Sequence, residues 1–83
     1  MIPDEELDRF AAWLVAKGYG AGTAKAVRSY VRRADRLGAA SAAEVNAATR
    51  VPGTEFPHLA QTTRSGMRRA LDLFEEFRGA VPA

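Results

Sequence analysis

The chain reads as a single all-α domain, a compact four-helix bundle, and three observations predict it. Apolar residues recur at three- and four-residue steps in every long segment, the spacing that places them on one face of a helix. Glycine or a hydroxyl-bearing residue brackets these segments where helix stops and caps belong. No stretch alternates apolar and polar residues in the manner of a half-buried strand. At 83 residues the chain makes one domain, residues 1–83, with a thin margin of stability. It has no cysteine, so apolar packing must stabilise it without disulfides or thiolate metal sites.

The first helix is expected at about 5–17. Asp4 is its cap, and Glu5, Glu6 and Asp8 lie in the first turn, where the helix dipole favours negative charge. Leu7, Phe10, Ala11 and Leu14 form the inner stripe, and Trp13 and Val15 widen it. Trp13 reads as a core or rim aromatic. Lys17-Gly18 ends the helix, and Tyr19-Gly20-Ala21-Gly22 is a short link that lacks the spacing and lysine of a phosphate-cradling loop.

The second helix, about 24–37 behind a Thr23 cap, organises the rest. Val27, Tyr30, Val31, Ala34 and Leu37 make an apolar stripe. Lys25, Arg28, Arg32 and Arg36 make a basic one, to which Arg33 adds a fifth charge, and Gly38 is the stop. Ser41-Ala42-Ala43-Glu44 matches a capping box and predicts a short third helix at about 42–48. Residues 50–61 read as irregular. Val51-Pro52-Gly53-Thr54 signals a turn, Phe56-Pro57 an extended step, and Val51, Phe56 and Leu59 are expected to pin the loop. Thr62 or Thr63 caps the fourth helix, about 64–78, with Met67, Ala70, Leu71, Phe74 and Phe77 or Arg78 at helical steps on the inner face and Gly79 as its stop.

The net charge is only +2, but nine of the twelve bases lie in residues 23–38 and 62–79. The first of these segments has five bases against one acid, whereas residues 1–17 have two bases against four acids. Such segregation points to a polyanion on one side of the molecule. In the fourth helix three arginines precede all three acids, an order that opposes the dipole preference. Arginine and lysine neutralise phosphates, and guanidinium forks can read base edges in the major groove. Ser29, Gln61, Thr62, Thr63 and Ser65 supply neutral donors nearby. A solvated arginine-rich surface is the other reading of this pattern.

No catalytic constellation can be assembled. The single histidine, His58, stands beside Pro57 with no evident nucleophile or ligand partner, and Tyr30 reads as a core residue with a wet hydroxyl. No cofactor, metal site or small-molecule substrate is expected. No apolar run approaches the ~20 residues that span a bilayer. The acidic start, Asp4-Glu5-Glu6, is unlike a signal peptide, so a cytoplasmic location without membrane contact is expected.

Several pieces together carry a resemblance: Phe10-Ala11-Ala12-Trp13-Leu14 with its Lys17-Gly18 stop; Gly20-Ala21-Gly22-Thr23 running to Tyr30-Val31-Arg32-Arg33; the short segment 42–48; and Thr62-Thr63-Arg64 through Met67-Arg68-Arg69-Ala70-Leu71 to Leu73-Phe74-Glu75-Glu76-Phe77. In this order, over about residues 6–79, they resemble the core-binding (SAM-like) domain of tyrosine recombinases, the phage-integrase family. The resemblance implies a SAM-like bundle that clamps double-stranded DNA through its second and fourth helices. Carried over by position, Thr23, Lys25, Arg28, Arg32 and Arg36 would face DNA from the second helix, and Thr63, Arg64, Arg68 and Arg69 from the fourth. The partners implied are duplex DNA and a catalytic recombinase domain or other subunits. The family's catalytic residues belong to a second domain absent from this chain, which is therefore expected to be no enzyme. Residues 50–61 are longer than the family pattern. The alternative is a small helical protein–protein interaction module that docks through the same basic face. A more distant one is an oligomerising helical protein that binds no nucleic acid.

Overall fold

The computed structural model describes residues 1–45 and 61–80. Among them lie α1 (Asp4–Ala16), α2 (Ala21–Arg36), the opening of α3 (residues 42–45) and α4 (Gln61–Ala80), with no strand. Residues 46–48 of the expected third helix, the expected pins Val51, Phe56 and Leu59, and His58 lie outside the described residues.

Two of the three expected glycine stops hold in atomic detail. Gly18 has φ 106° and Gly38 has φ 80°, the left-handed region that glycine enters without penalty. Gly18 N–H donates to Val15 O at 3.0 Å and Tyr19 N–H to Leu14 O at 3.1 Å. Gly38 N–H donates to Asp35 O at 3.0 Å and Ala39 N–H to Ala34 O at 2.9 Å. Both ends are Schellman motifs, and the residue after each glycine turns back toward the core: Tyr19 is half-buried and Ala39 buried.

The starts differ from expectation. Pro3, with φ −64° and ψ 145°, occupies the cap position of α1, and Asp4 is the first helical residue. The Asp4 carboxylate is engaged elsewhere, by Arg32. Similarly, α2 begins three residues before the expected Ala24. Gly20 takes the cap position with an extended backbone, and no side-chain oxygen caps the helix; Thr23 is its third residue and exposed. Nothing in Ala21-Gly22 forbids helical dihedrals, so the helix extends back to the first extended residue. The α3 capping box forms with a shift: Glu44 N–H donates to Ser41 Oγ at 3.3 Å, but the Glu44 carboxylate accepts from Ala40 N–H rather than Ser41. In α4 the helix starts at Gln61 and runs through Gly79 to Ala80. The expected cap at Thr62 or Thr63 is therefore inside the helix, and so is the expected stop.

Packing follows the stripes. Leu7, Phe10 and Leu14 of α1, Ala24, Val31 and Ala34 of α2, Val45 of α3, and Met67, Ala70, Leu71, Phe74 and Phe77 of α4 are all buried. The second helix lies between α1 and α4 and contacts each more extensively than they contact one another. Aromatic rings join α1 to α4: Phe10 meets Phe74 edge-on at 5.0 Å and Phe77 at 5.5 Å, and Trp13 meets Phe77 at 5.6 Å. Trp13 is a rim residue, half-buried, with the Lys17 ammonium 4.5 Å from its ring centre.

The α2–α4 crossing centres on Tyr30 against Gly66. A Cβ built on Gly66 would lie 2.7 Å from Tyr30 Cζ, closer than packed carbon atoms tolerate. Gly66→Ala is expected to lose stability on balance. Overpacking costs about 1–3 kcal/mol, and the better helix propensity of alanine returns about 1 kcal/mol. Urea melts check this, and in a Tyr30→Ala background the same substitution should become neutral or stabilising.

Across the opposite edge Glu6 and Arg78 tie α1 to the last turn of α4. Arg78 Nε donates to Glu6 Oε2 and Nη2 to Oε1, each at 2.9 Å, while the guanidinium lies 4.4 Å from the Phe74 ring centre. The hydrogen bonds from Arg78 hold the Glu6 carboxyl below its usual range, burial opposes them, and the Arg78 and Arg9 charges add to the lowering. A depressed carboxyl contributes stability that is complete above its unfolded value, about 4.5, and is lost as pH falls through the folded value. The pair is half-exposed, so Glu6→Gln is expected to cost at most about 1 kcal/mol at neutral pH. The difference between wild type and variant should shrink to nothing in acid, as read from urea melts over a pH series.

Candidate functional site

Burial of the apolar stripe of α2 turns the rest of that helix outward. Going round it at 3.6 residues per turn from the α1 side to the α4 side, one meets Arg28, Arg32, Lys25, Arg36, Ser29, Arg33 and Tyr30. The basic stripe expected from spacing is therefore split between two environments.

Its α1 side is ion-paired. Arg28 donates from Nε and Nη2 to Asp8 Oδ1, at 3.1 and 2.8 Å, and Arg32 pairs with Asp4. Two of the expected DNA-facing residues thus serve the α1–α2 seam. The sequence alone does not reveal this, because each pair joins residues on different helices, 20 and 28 positions apart.

Its outer side is not compensated. Lys25 and Arg36 are exposed, as is Arg33, and no carboxylate among the described residues pairs with any of them. Arg33, noted in the sequence only as an additional charge, lines a surface groove of about 250 Å³ with Ala26, Ser29 and Tyr30. Its spacing of three and four residues from Tyr30 and Ser29 was the available signal. The groove adjoins the crossing with α4, where Thr62 and Arg69 stand one turn to either side of Gly66 on the same edge. Both are exposed, and Arg69 too lacks a carboxylate partner among the described residues.

The other expected α4 residues point away from that edge. Thr63, four residues before Met67 and seven before Ala70, lies on the inward stripe and is half-buried. Arg64 lies on the far edge, seven residues before Leu71. Its Nε is buried without a hydrogen-bond partner among the described residues. Arg68, on the outer face, donates to Ser65 Oγ at 3.1 Å. The reversed charge order of α4 has a partial structural reason: Glu76 pairs with Lys17 at the end of α1, and Arg78 with Glu6.

Among the described residues no group of three or more His, Cys, Asp or Glu side chains is placed to hold a metal ion. No described helix is long and apolar enough to cross a membrane. No protein-family model, curated protein or solved structure matches the chain. The chemistry available on the outward face of α2 and at the α2–α4 edge is that of anion binding: exposed guanidinium and ammonium groups, with Ser29 and Thr62 hydroxyls on the same side.

Proposed function

We propose that the chain is a duplex-DNA-binding module that clamps the phosphate backbone along the α2–α4 edge, has no catalytic activity of its own and works in the cytoplasm. One observation carries the reading. Of the bases on the described surface, those facing α1 or capping the aromatic cluster are matched by carboxylates, while Arg33 and Arg69 at the α2–α4 edge and Lys25 and Arg36 on the outward face of α2 are left without one among the described residues. A cluster of uncompensated cations beside a shallow groove attracts a polyanion and releases its counterions on contact. The resemblance to the core-binding domains of tyrosine recombinases supports three of these residues, Lys25, Arg36 and Arg69, and implies an association with a catalytic recombinase domain or other subunits.

Titration of the protein with a DNA duplex at two salt concentrations, followed by amide and arginine side-chain NMR shifts, tests this. Shifts at Lys25, Ser29, Arg33, Arg36 and Arg69 that weaken with salt are expected. Their absence at low salt would refute DNA binding. A second reading docks an acidic protein partner on the basic helix α2 from its α1 side. It is favoured by an apolar groove of about 350 Å³ between α1 and α2, with Ala11, Ala12, Val15 and Ala24 in its walls and Lys25 at its rim.

A further inference from the structure

The seam between α1 and α2 holds two ion pairs in register. Asp4 and Asp8 are four residues apart on α1, Arg28 and Arg32 four apart on α2, and the pairing is antiparallel, Asp8 with Arg28 and Asp4 with Arg32. The two sides are unequally covered. The carboxylate side chains are 70% and 73% exposed, their arginine partners only 24% and 32%. An approaching polyanion therefore meets the carboxylates first. Neither guanidinium is saturated among the described residues: Arg28 gives both of its bonds to a single Asp8 oxygen, and Arg32 Nε is buried without a partner there.

We infer that Asp4 and Asp8 are tethered competitors for phosphate, which withhold Arg28 and Arg32 from DNA and confine the duplex to the α2–α4 edge. This rests on the DNA-binding reading above. The carboxylates are held at their arginines by the α1–α2 packing and need no ordering to bind, whereas a phosphate must first displace them. Half-exposed pairs of this kind are individually weak, so the clasp limits DNA affinity without abolishing it. A bound protein that drew off the two carboxylates would widen the footprint.

The test is fluorescence-anisotropy titration of a labelled duplex across a salt series. The variants are Asp4→Asn/Asp8→Asn, Arg28→Gln/Arg32→Gln and the fourfold combination, with folding checked by circular dichroism. Asp4→Asn/Asp8→Asn is expected to bind roughly tenfold more tightly or better. Its log–log salt slope should steepen by about 1.8, since each phosphate contact adds about 0.9. Arg28→Gln/Arg32→Gln should keep the wild-type slope, and the fourfold variant should return to it. Should the double aspartate variant fail to fold, Asp8→Asn alone should steepen the slope by about 0.9. An unchanged slope in the aspartate variants overturns the clasp. So does a fourfold variant that keeps the gain, since the carboxylates would then act by repulsion alone. Wild-type protein that shows no salt-dependent binding would refute the DNA reading itself.

Discussion

Phe10→Ala is expected to remove about 3–5 kcal/mol of stability, the usual cost of truncating a fully buried phenylalanine. Phe10 is completely buried, and its ring touches both Phe74 and Phe77. Alanine there leaves a cavity where α1 crosses α4, and the aromatic side chains on the other wall cannot collapse into it without breaking their own contacts. A domain of 83 residues has a total stability of roughly 4–12 kcal/mol, so the variant sits near or past its unfolding threshold at 25 °C. Thermal melts should show a fall of about 12 °C or more, at roughly 4 °C or more per kcal/mol. Val15→Ala is the control. Val15 is also on α1 but largely exposed, and its truncation should change stability by about 0.5 kcal/mol or less. Equal effects at the two positions would refute the packing of α1 on α4.

Arg33→Glu/Arg69→Glu is expected to weaken duplex binding on the order of 100-fold, taking about 1.5 kcal/mol for each lost charged contact, before any repulsion from the new carboxylates. The salt slope should fall by about two contacts' worth, since each phosphate contact contributes about 0.9. Both side chains are exposed and flank the Tyr30–Gly66 crossing without taking part in it, so helicity and melting temperature should hold. Arg28→Glu/Arg32→Glu sets the contrast. It places like charges against Asp8 and Asp4 and should lower stability, whereas binding should fall only through the added negative charge and not through lost contacts. Circular dichroism and anisotropy on the same samples separate the two effects. Full affinity in Arg33→Glu/Arg69→Glu would remove the α2–α4 edge as the DNA-facing surface.

The two sets differ only in which neighbour faces them, and spacing within α2 does not encode that. Lys25, Arg28, Arg32 and Arg36 form one stripe by periodicity. The position of α1 then turns two of them to carboxylates and leaves two in water. Arg33 lay outside that stripe. It became part of the candidate site because Gly66 lets α4 approach closely at Tyr30, three residues earlier. Thr63 went the other way, because α4 starts at Gln61 and its buried stripe, anchored by Met67 and Ala70, brings Thr63 inward.

The sequence by itself determined the all-α class, the inward stripes and the two glycine stops at Gly18 and Gly38. These rest on interactions within a few residues: helical periodicity, left-handed glycine dihedrals and local backbone hydrogen bonds. Only the tertiary structure decided the helix starts, the Tyr30–Gly66 crossing and the division of arginines between clasped and open. Asp4 illustrates the reason. Sequence alone makes it a helix cap, but α2 brings Arg32 to it from 28 residues away. A charge-assisted contact with a guanidinium then takes the carboxylate that the cap would have used, while Pro3 occupies the cap position and the helix begins at Asp4 without a side-chain cap.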